Sequence, residues 1–287
     1  MGSFKKNKDL HIIKYFSSLI SISDGKVADV TPPTLLSCPL AKHLYKEPAF
    51  APGSDKEAVK QAIIRAIESK IRDYGFFTSD RKFVCEKTSI KYGASEMMMS
   101  ALKRNAIDAA VVVCDGAGTV ITDRPEAVQG IGARMNTIIS TSPISAIQES
   151  LKQLDCRVVF NDGTIDQVRG VEEAIKAGYK NIAVTVRGDL SDDLVLLRAL
   201  EQKYGVNVVC LVVCTTGVDT QKISVMRKCA DLVWSCASSD IREIIGPCAK
   251  TQLSKLIPVF VLTSKGERFV SAQGPNKKEV NNKKIDK

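Results

Sequence analysis

Apolar residues along this chain follow two alternating periods. Short β-branched runs stand at residues 109–114, 157–160, 181–186, 206–213, 231–235 and 257–262, each reading as a buried strand. Between most of them apolar positions recur at helical spacing: over 143–154 behind Ser142, 166–177 closed by Gly178, 191–204 closed by Gly205, 219–229, and 239–245 closed by Gly246 and Pro247. The alternation predicts right-handed crossovers and an α/β fold: a mostly parallel sheet with flanking helices, Rossmann-like and doubly wound.

The N-terminal part reads differently. Ile20, Ile22, Val27 and Val30 alternate around Asp24-Gly25, a hairpin signal. Ser54-Asp55-Lys56-Glu57 has capping-box spacing, with Ser54 as the cap, and Val59, Ile63 and Ile67 come after it at helical spacing over 55–73. Ser95, Met97, Met98 and Leu102 start another helix. The chain thus divides into three regions: a hairpin and helical region packed on the core (1–104), the α/β core (105–272) and a basic tail (273–287). The tail lacks the apolar surface to offset its ordering entropy.

Composition changes this picture little. A chain of 287 residues can bury a large core, and no apolar run reaches the roughly 18 residues of a membrane span. The apolar stretch near the start is broken by Lys14, Ser17 and Ser18 and lacks a cleavage site, so a cytoplasmic protein is expected. The formal charge is +9, but the tail holds five lysines against Glu279 and Asp286, and residues 1–11 hold three against Asp9. With aromatics at 6%, no basic stacking platform is evident, which argues against nucleic acid.

Candidate chemistry is sought at the end of each strand. In a parallel sheet the ligand crevice lies outside the carboxyl ends. Those ends read Cys114-Asp115-Gly116-Ala117-Gly118-Thr119, Asn161-Asp162-Gly163, Arg187-Gly188-Asp189, Cys214-Thr215-Thr216-Gly217 and Cys236-Ala237-Ser238, with a sixth at Thr263; the amino ends carry nothing comparable. Nine cysteines, an odd number and several inside strands, speak against a disulfide framework. Cys114, Cys214 and Cys236 each close an apolar run, and neighbouring strands would bring them together. Cys38, on the turn before Pro39, supplies a fourth thiol for zinc or an iron-sulfur cluster. The same thiols also suit a small-molecule pocket or plain packing. Asp115 and Asp162 are candidate general bases or metal ligands, or else turn and cap formers. Gly116, Gly118, Thr119, Thr215, Thr216 and Ser238 are candidate cofactor contacts. Gln129-Gly130-Ile131-Gly132-Ala133-Arg134 reads as an anion loop or as a tight turn. The histidines, His11 and His43, are too few to suggest a nucleophile and base pair.

Taken together, SCPLAK (37–42), SEMMMSALKRNAIDAAVVVCDGAGTVIT (95–122), VQGIGARMNTIISTSPI (128–144) and IDQVRGVEEAIKAGYKNIAVTV (165–186) resemble methanogenesis marker protein 8, a family of archaeal methanogens, through most of residues 11–270. The resemblance implies an anaerobic archaeal cytoplasm and a part in making, activating or maintaining methanogenic enzymes or cofactors. It carries no residue roles. The expectation is a carboxyl-edge pocket that holds a metal or iron-sulfur centre or a small cofactor, with a methanogenic complex or a second copy as partner. The alternatives are a non-catalytic assembly or regulatory subunit, and a phosphate- or nucleotide-binding enzyme.

Overall fold

Turn residues able to adopt positive φ divide the first apolar stretch into strands. The computed structural model describes residues 9–36 and 53–272. β1 (His11–Tyr15) pairs antiparallel with β2 (Ser18–Ser23) across Phe16-Ser17, and β2 with β3 (Lys26–Val30) across Asp24-Gly25. All four turn residues have positive φ, as two-residue hairpins between twisted strands require. α1 (Lys56–Tyr74) lies on this sheet, its Val59, Ile63 and Ile67 meeting Ile13, Ile20 and Ile22. Full burial of each such side chain contributes about 1.5–3 kcal/mol. The helix starts one residue later than the capping-box reading: Asp55, not Ser54, is the cap, and its carboxylate accepts from Ala58 N at 2.7 Å. Gly75, at φ 68, closes it.

After α2 (Ala94–Lys103) the chain enters the large sheet. β4 (Ala109–Cys114), β8 (Asn181–Arg187), β9 (Asn207–Val213) and β10 (Leu232–Trp234) are its parallel strands, adjacent in that order. Antiparallel pairs extend both ends: β5 (Gly118–Thr122) and β7 (Arg157–Val158) beyond β4, β12 (Val259–Val261) and β11 (Thr251–Leu253) beyond β10. Alternate residues of β4 face opposite layers. Ala109 and Val111 pack under α5 (Gln167–Lys176), α6 (Asp193–Tyr204), α7 (Thr220–Cys229) and α8 (Ser239–Ile244). Ala110, Val112 and Cys114 pack under α2, α3 (Pro125–Gly132), α4 (Ser145–Gln153) and α9 (Ser264–Ser271).

The α/β class stands, but with two mixed departures from the doubly wound expectation. The parallel strands advance in one direction only, because β4 feeds an antiparallel hairpin partner instead of a crossover helix. The last strand, β12, runs antiparallel to β10, so Thr263 sits on the opposite rim from the other strand ends. That amino rim is not bare. Buried Asp231 accepts from Cys210 N (2.8 Å), Arg198 Nη2 (2.6 Å) and Thr263 Oγ1 (2.5 Å), while Arg198 also reaches Glu201.

β6 (Thr137–Thr141), a strand the pattern did not suggest, leaves the core region and pairs antiparallel with β1, placing His11 opposite Thr141. The small sheet, in the order β3-β2-β1-β6, is thereby joined to the core. Ser142 does not cap α4; its hydroxyl donates to Leu10 O at 3.0 Å. Among the described residues no helix is long and apolar enough to cross a membrane.

Candidate functional site

The motif that the sequence made most prominent is a structural turn. Gly116 and Gly118 take φ of 69° and 71° and reverse the chain between β4 and β5. A Cβ on Gly118 would stand 2.3 Å from Thr164 O and 2.5 Å from Gly163 O, so glycine is needed for close backbone approach. Asp115 is fully buried, and its carboxylate accepts from Phe77 N (2.7 Å) and Arg81 Nε (3.0 and 3.2 Å). Arg81 also donates to Gly130 O and Ile131 O and stacks over Phe76 at 3.8 Å. This ion pair ties the hairpin to the 76–83 segment and to the end of α3. Thr119 Oγ1 accepts from Asp166 N at 2.8 Å, which anchors the start of α5. Burial, then the nearby Asp115 charge, pushes the Cys114 thiol well above its usual range.

Other candidates also have local work. Asp162 is exposed, and its Oδ1 accepts from Thr164 N at 2.9 Å; hydrogen bonds from Thr164 lower its carboxyl. Thr215 Oγ1 donates to Trp234 O (2.6 Å), Thr216 Oγ1 accepts from Ala237 N (3.2 Å), and Ser238 Oγ caps α8 at Ile241 N (3.2 Å). Gly130 and Gly132 do not form an anion loop. They end α3, where a Cβ would stand 1.6 Å from Phe83 O and 2.6 Å from Ser95 Cβ respectively.

Nor do the thiols form the proposed cluster. Cys214 and Cys236 line one cavity, whereas Cys114 is enclosed in the core, in the same cluster as Cys156. Among the described residues no group of three or more His, Cys, Asp or Glu side chains is placed to hold a metal. Cys38 and His43 lie outside the described residues. The zinc or iron-sulfur expectation therefore lacks its donor set among them.

The cavity measures about 320 Å³ and is walled by the carboxyl ends of β4, β8, β9 and β10, by β6 and by the start of α2. Val112, Val113, Ile138, Val213 and Trp234 make it largely apolar. Three wall residues, Arg134, Cys214 and Cys236, are non-glycine residues with φ of 63°, 59° and 46°. Such backbones cost about 1–3 kcal/mol each and gather at functional sites. Burial, with the Cys236 charge adding, pushes Cys214 up to about 12, so its thiol is neutral and soft rather than nucleophilic.

Two residues that line the cavity carry polar groups with capacity to spare. Gln167 is 3% exposed; its Nε2 donates to Thr185 O (2.8 Å) and Val111 O (3.3 Å), but its Oε1 is buried with no hydrogen-bond partner among the described residues. Arg134 lays its guanidinium over the Tyr74 ring at 4.7 Å and forms no ion pair with any described residue. The other wall arginine, Arg187, is held by Asp189 at 2.5 Å. Behind the wall, Lys70 on the apolar face of α1 is 4% exposed and donates to Asn136 Oδ1. Burial, with the Arg134 charge adding, pulls its amine down to about 7.

Of the residues that sequence reasoning singled out, Gly132, Arg134, Arg187, Cys214 and Cys236 line the cavity; the other candidate site residues described serve turns, caps and core. Gln167, Asn136, Thr137 and Lys70 were missed. One signal was available: Lys70 stands seven residues after Ile63 and so interrupts an apolar stripe.

An uncharacterized protein of Methanocaldococcus jannaschii is 37% identical over 266 residues, covering 91% of this chain and 89% of the relative. The model of a family described as "Uncharacterized protein conserved in archaea (DUF2099)" matches residues 11–273, and the chain belongs to that archaeal family.

Proposed function

We propose that the protein binds a small organic molecule carrying an anionic group, in a cytoplasmic role tied to methanogenic metabolism. The observation that carries the binding reading is the cavity wall itself. Its lining includes both an arginine that no described carboxylate pairs and a glutamine whose buried oxygen no described group donates to. A buried polar atom left unsatisfied costs about 1–3 kcal/mol, and a ligand N–H or O–H at Gln167 Oε1 would remove that cost. A carboxylate, phosphate or sulfonate at Arg134 would gain a charge-assisted, planar contact. The apolar remainder of the wall suits a hydrocarbon or aromatic body. The metabolic setting is supported by the resemblance to methanogenesis marker protein 8 and by a relative in Methanocaldococcus.

The test is native mass spectrometry of the full chain isolated from a methanogen, beside its Arg134→Ala variant. An anionic small molecule should stay with the unaltered chain, and its occupancy should fall about tenfold or more in the variant, the worth of one charge-assisted hydrogen bond. Equal retention in both would overturn the anion assignment.

A further inference from the structure

We infer that the ligand is elongated, with its anionic end at Arg134 and an apolar tail that passes Trp234 into a second compartment; the inference rests on the binding proposal above. This second cavity, about 230 Å³, lies on the far side of Trp234 and shares Ser89, Ile90 and Trp234 with the first. The partition between the two spaces is therefore one short stretch of loop and one indole. Trp234 ends β10 and is 8% exposed, and its Nε1 donates to Tyr92 O at 2.9 Å. Ser89 Oγ is buried in the partition with no hydrogen-bond partner among the described residues. A ligand passing there would meet a polar contact between the two spaces.

The loop is fixed from one side by a single carboxylate. Glu96 Oε1 accepts from Ser89 N (3.1 Å), Ile90 N (3.3 Å) and Gln129 Nε2 (3.1 Å), which holds the loop's base against α2 and α3. On the outer side Leu256, Ile257 and Val259 wall the second cavity, and Leu256 is left 49% exposed. These three side chains suit a hydrocarbon or aryl tail, and Lys91, Tyr92 and Ser254 complete the lining.

The chain's single tryptophan is Trp234, so its fluorescence reports on either compartment. The probes are 3-phenylpropanoate, which the first cavity can hold alone, and 8-phenyloctanoate, which needs both. Titrated into the full chain, the longer acid should bind at least about tenfold more tightly, since each buried methylene adds affinity. Leu256→Phe narrows the second cavity and should remove that advantage while leaving the affinity for 3-phenylpropanoate unchanged, which also shows that the variant is folded. If Leu256→Phe leaves both affinities unchanged, the second compartment is not used and the elongated ligand is overturned, with the binding proposal intact. If Arg134→Ala changes neither affinity, or if neither acid binds, the anion reading falls and this inference falls with it.

Discussion

Val113 and Cys114 are consecutive residues of β4, yet they belong to regions of opposite character. Val113 lines the cavity. Cys114 opens the turn in which Asp115 and Thr119 are buried and hydrogen-bonded and the glycines are in close backbone contact. The turn converts polar groups into fold stability by satisfying them. The cavity wall holds an unsatisfied glutamine oxygen, three strained backbones and a buried amine behind it. Polar residue types at a strand end therefore say little by themselves; what separates structure from function is whether their hydrogen bonds and charges are already used.

The largest expected effect lies on the turn. Asp115→Asn keeps the shape of the side chain but leaves the Arg81 guanidinium, whose side chain is 1% exposed, as an uncompensated buried charge. Breaking a buried pair from one side costs about 3–5 kcal/mol, a large share of a typical domain's stability. Guanidinium denaturation should show the midpoint fall accordingly. A loss under about 1 kcal/mol, no more than an exposed pair gives, would mean that the turn is not the hub described, and would reopen Asp115 as a functional carboxylate.

Much of the fold was legible in the sequence, for physical reasons that differ by element. α1 was readable because Asp55 and Gly75 mark its ends and Val59, Ile63 and Ile67 mark its face, all local signals. β8 and β9 were readable because strands buried on both faces are continuously apolar. β6 was not, since Thr137–Thr141 pairs with β1, more than a hundred residues earlier, and nothing local records that pairing. The direction of β5 and β12 was hidden for the same reason: apolar runs show burial but not orientation. In the site, Arg134 was singled out on account of flanking glycines that serve helix packing instead. Gln167 reads as an ordinary first residue of a helix. Its orphaned oxygen is a property of the packed wall alone.

A second expected effect has the opposite sign and sharpens the contrast. The Lys70 amine titrates at about 7 in the folded chain against an ordinary value of 10.5. Between those values the unfolded chain binds the additional proton, so this group's destabilising contribution is full below about pH 7 and fades as pH rises towards 10.5. Lys70→Met should therefore stabilise the protein by about 2–4 kcal/mol near pH 6, with the gain shrinking steadily above pH 7. Thermal unfolding of both chains from pH 6 to 10 measures this. A destabilised variant at pH 6 would place Lys70 with the groups that hold the fold.

The smallest effect on stability should come from Gln167→Met. The change removes two donated hydrogen bonds, to Thr185 O and Val111 O, but it also removes a buried oxygen that no described group donates to. The lost bonds contribute about 1 kcal/mol each and the orphaned oxygen costs about 1–3 kcal/mol, so folding stability should move by no more than about 1 kcal/mol in either direction. Ligand retention should respond far more, because the molecule in the cavity loses its acceptor: its occupancy in native mass spectra should fall about fivefold or more. A variant that loses several kcal/mol of stability while retaining its ligand would make Gln167 a strut between β4 and β8, a counterpart of Asp115 on the other side of Val113. Near-neutral stability with weakened retention would instead set the boundary between fold and function within a single strand.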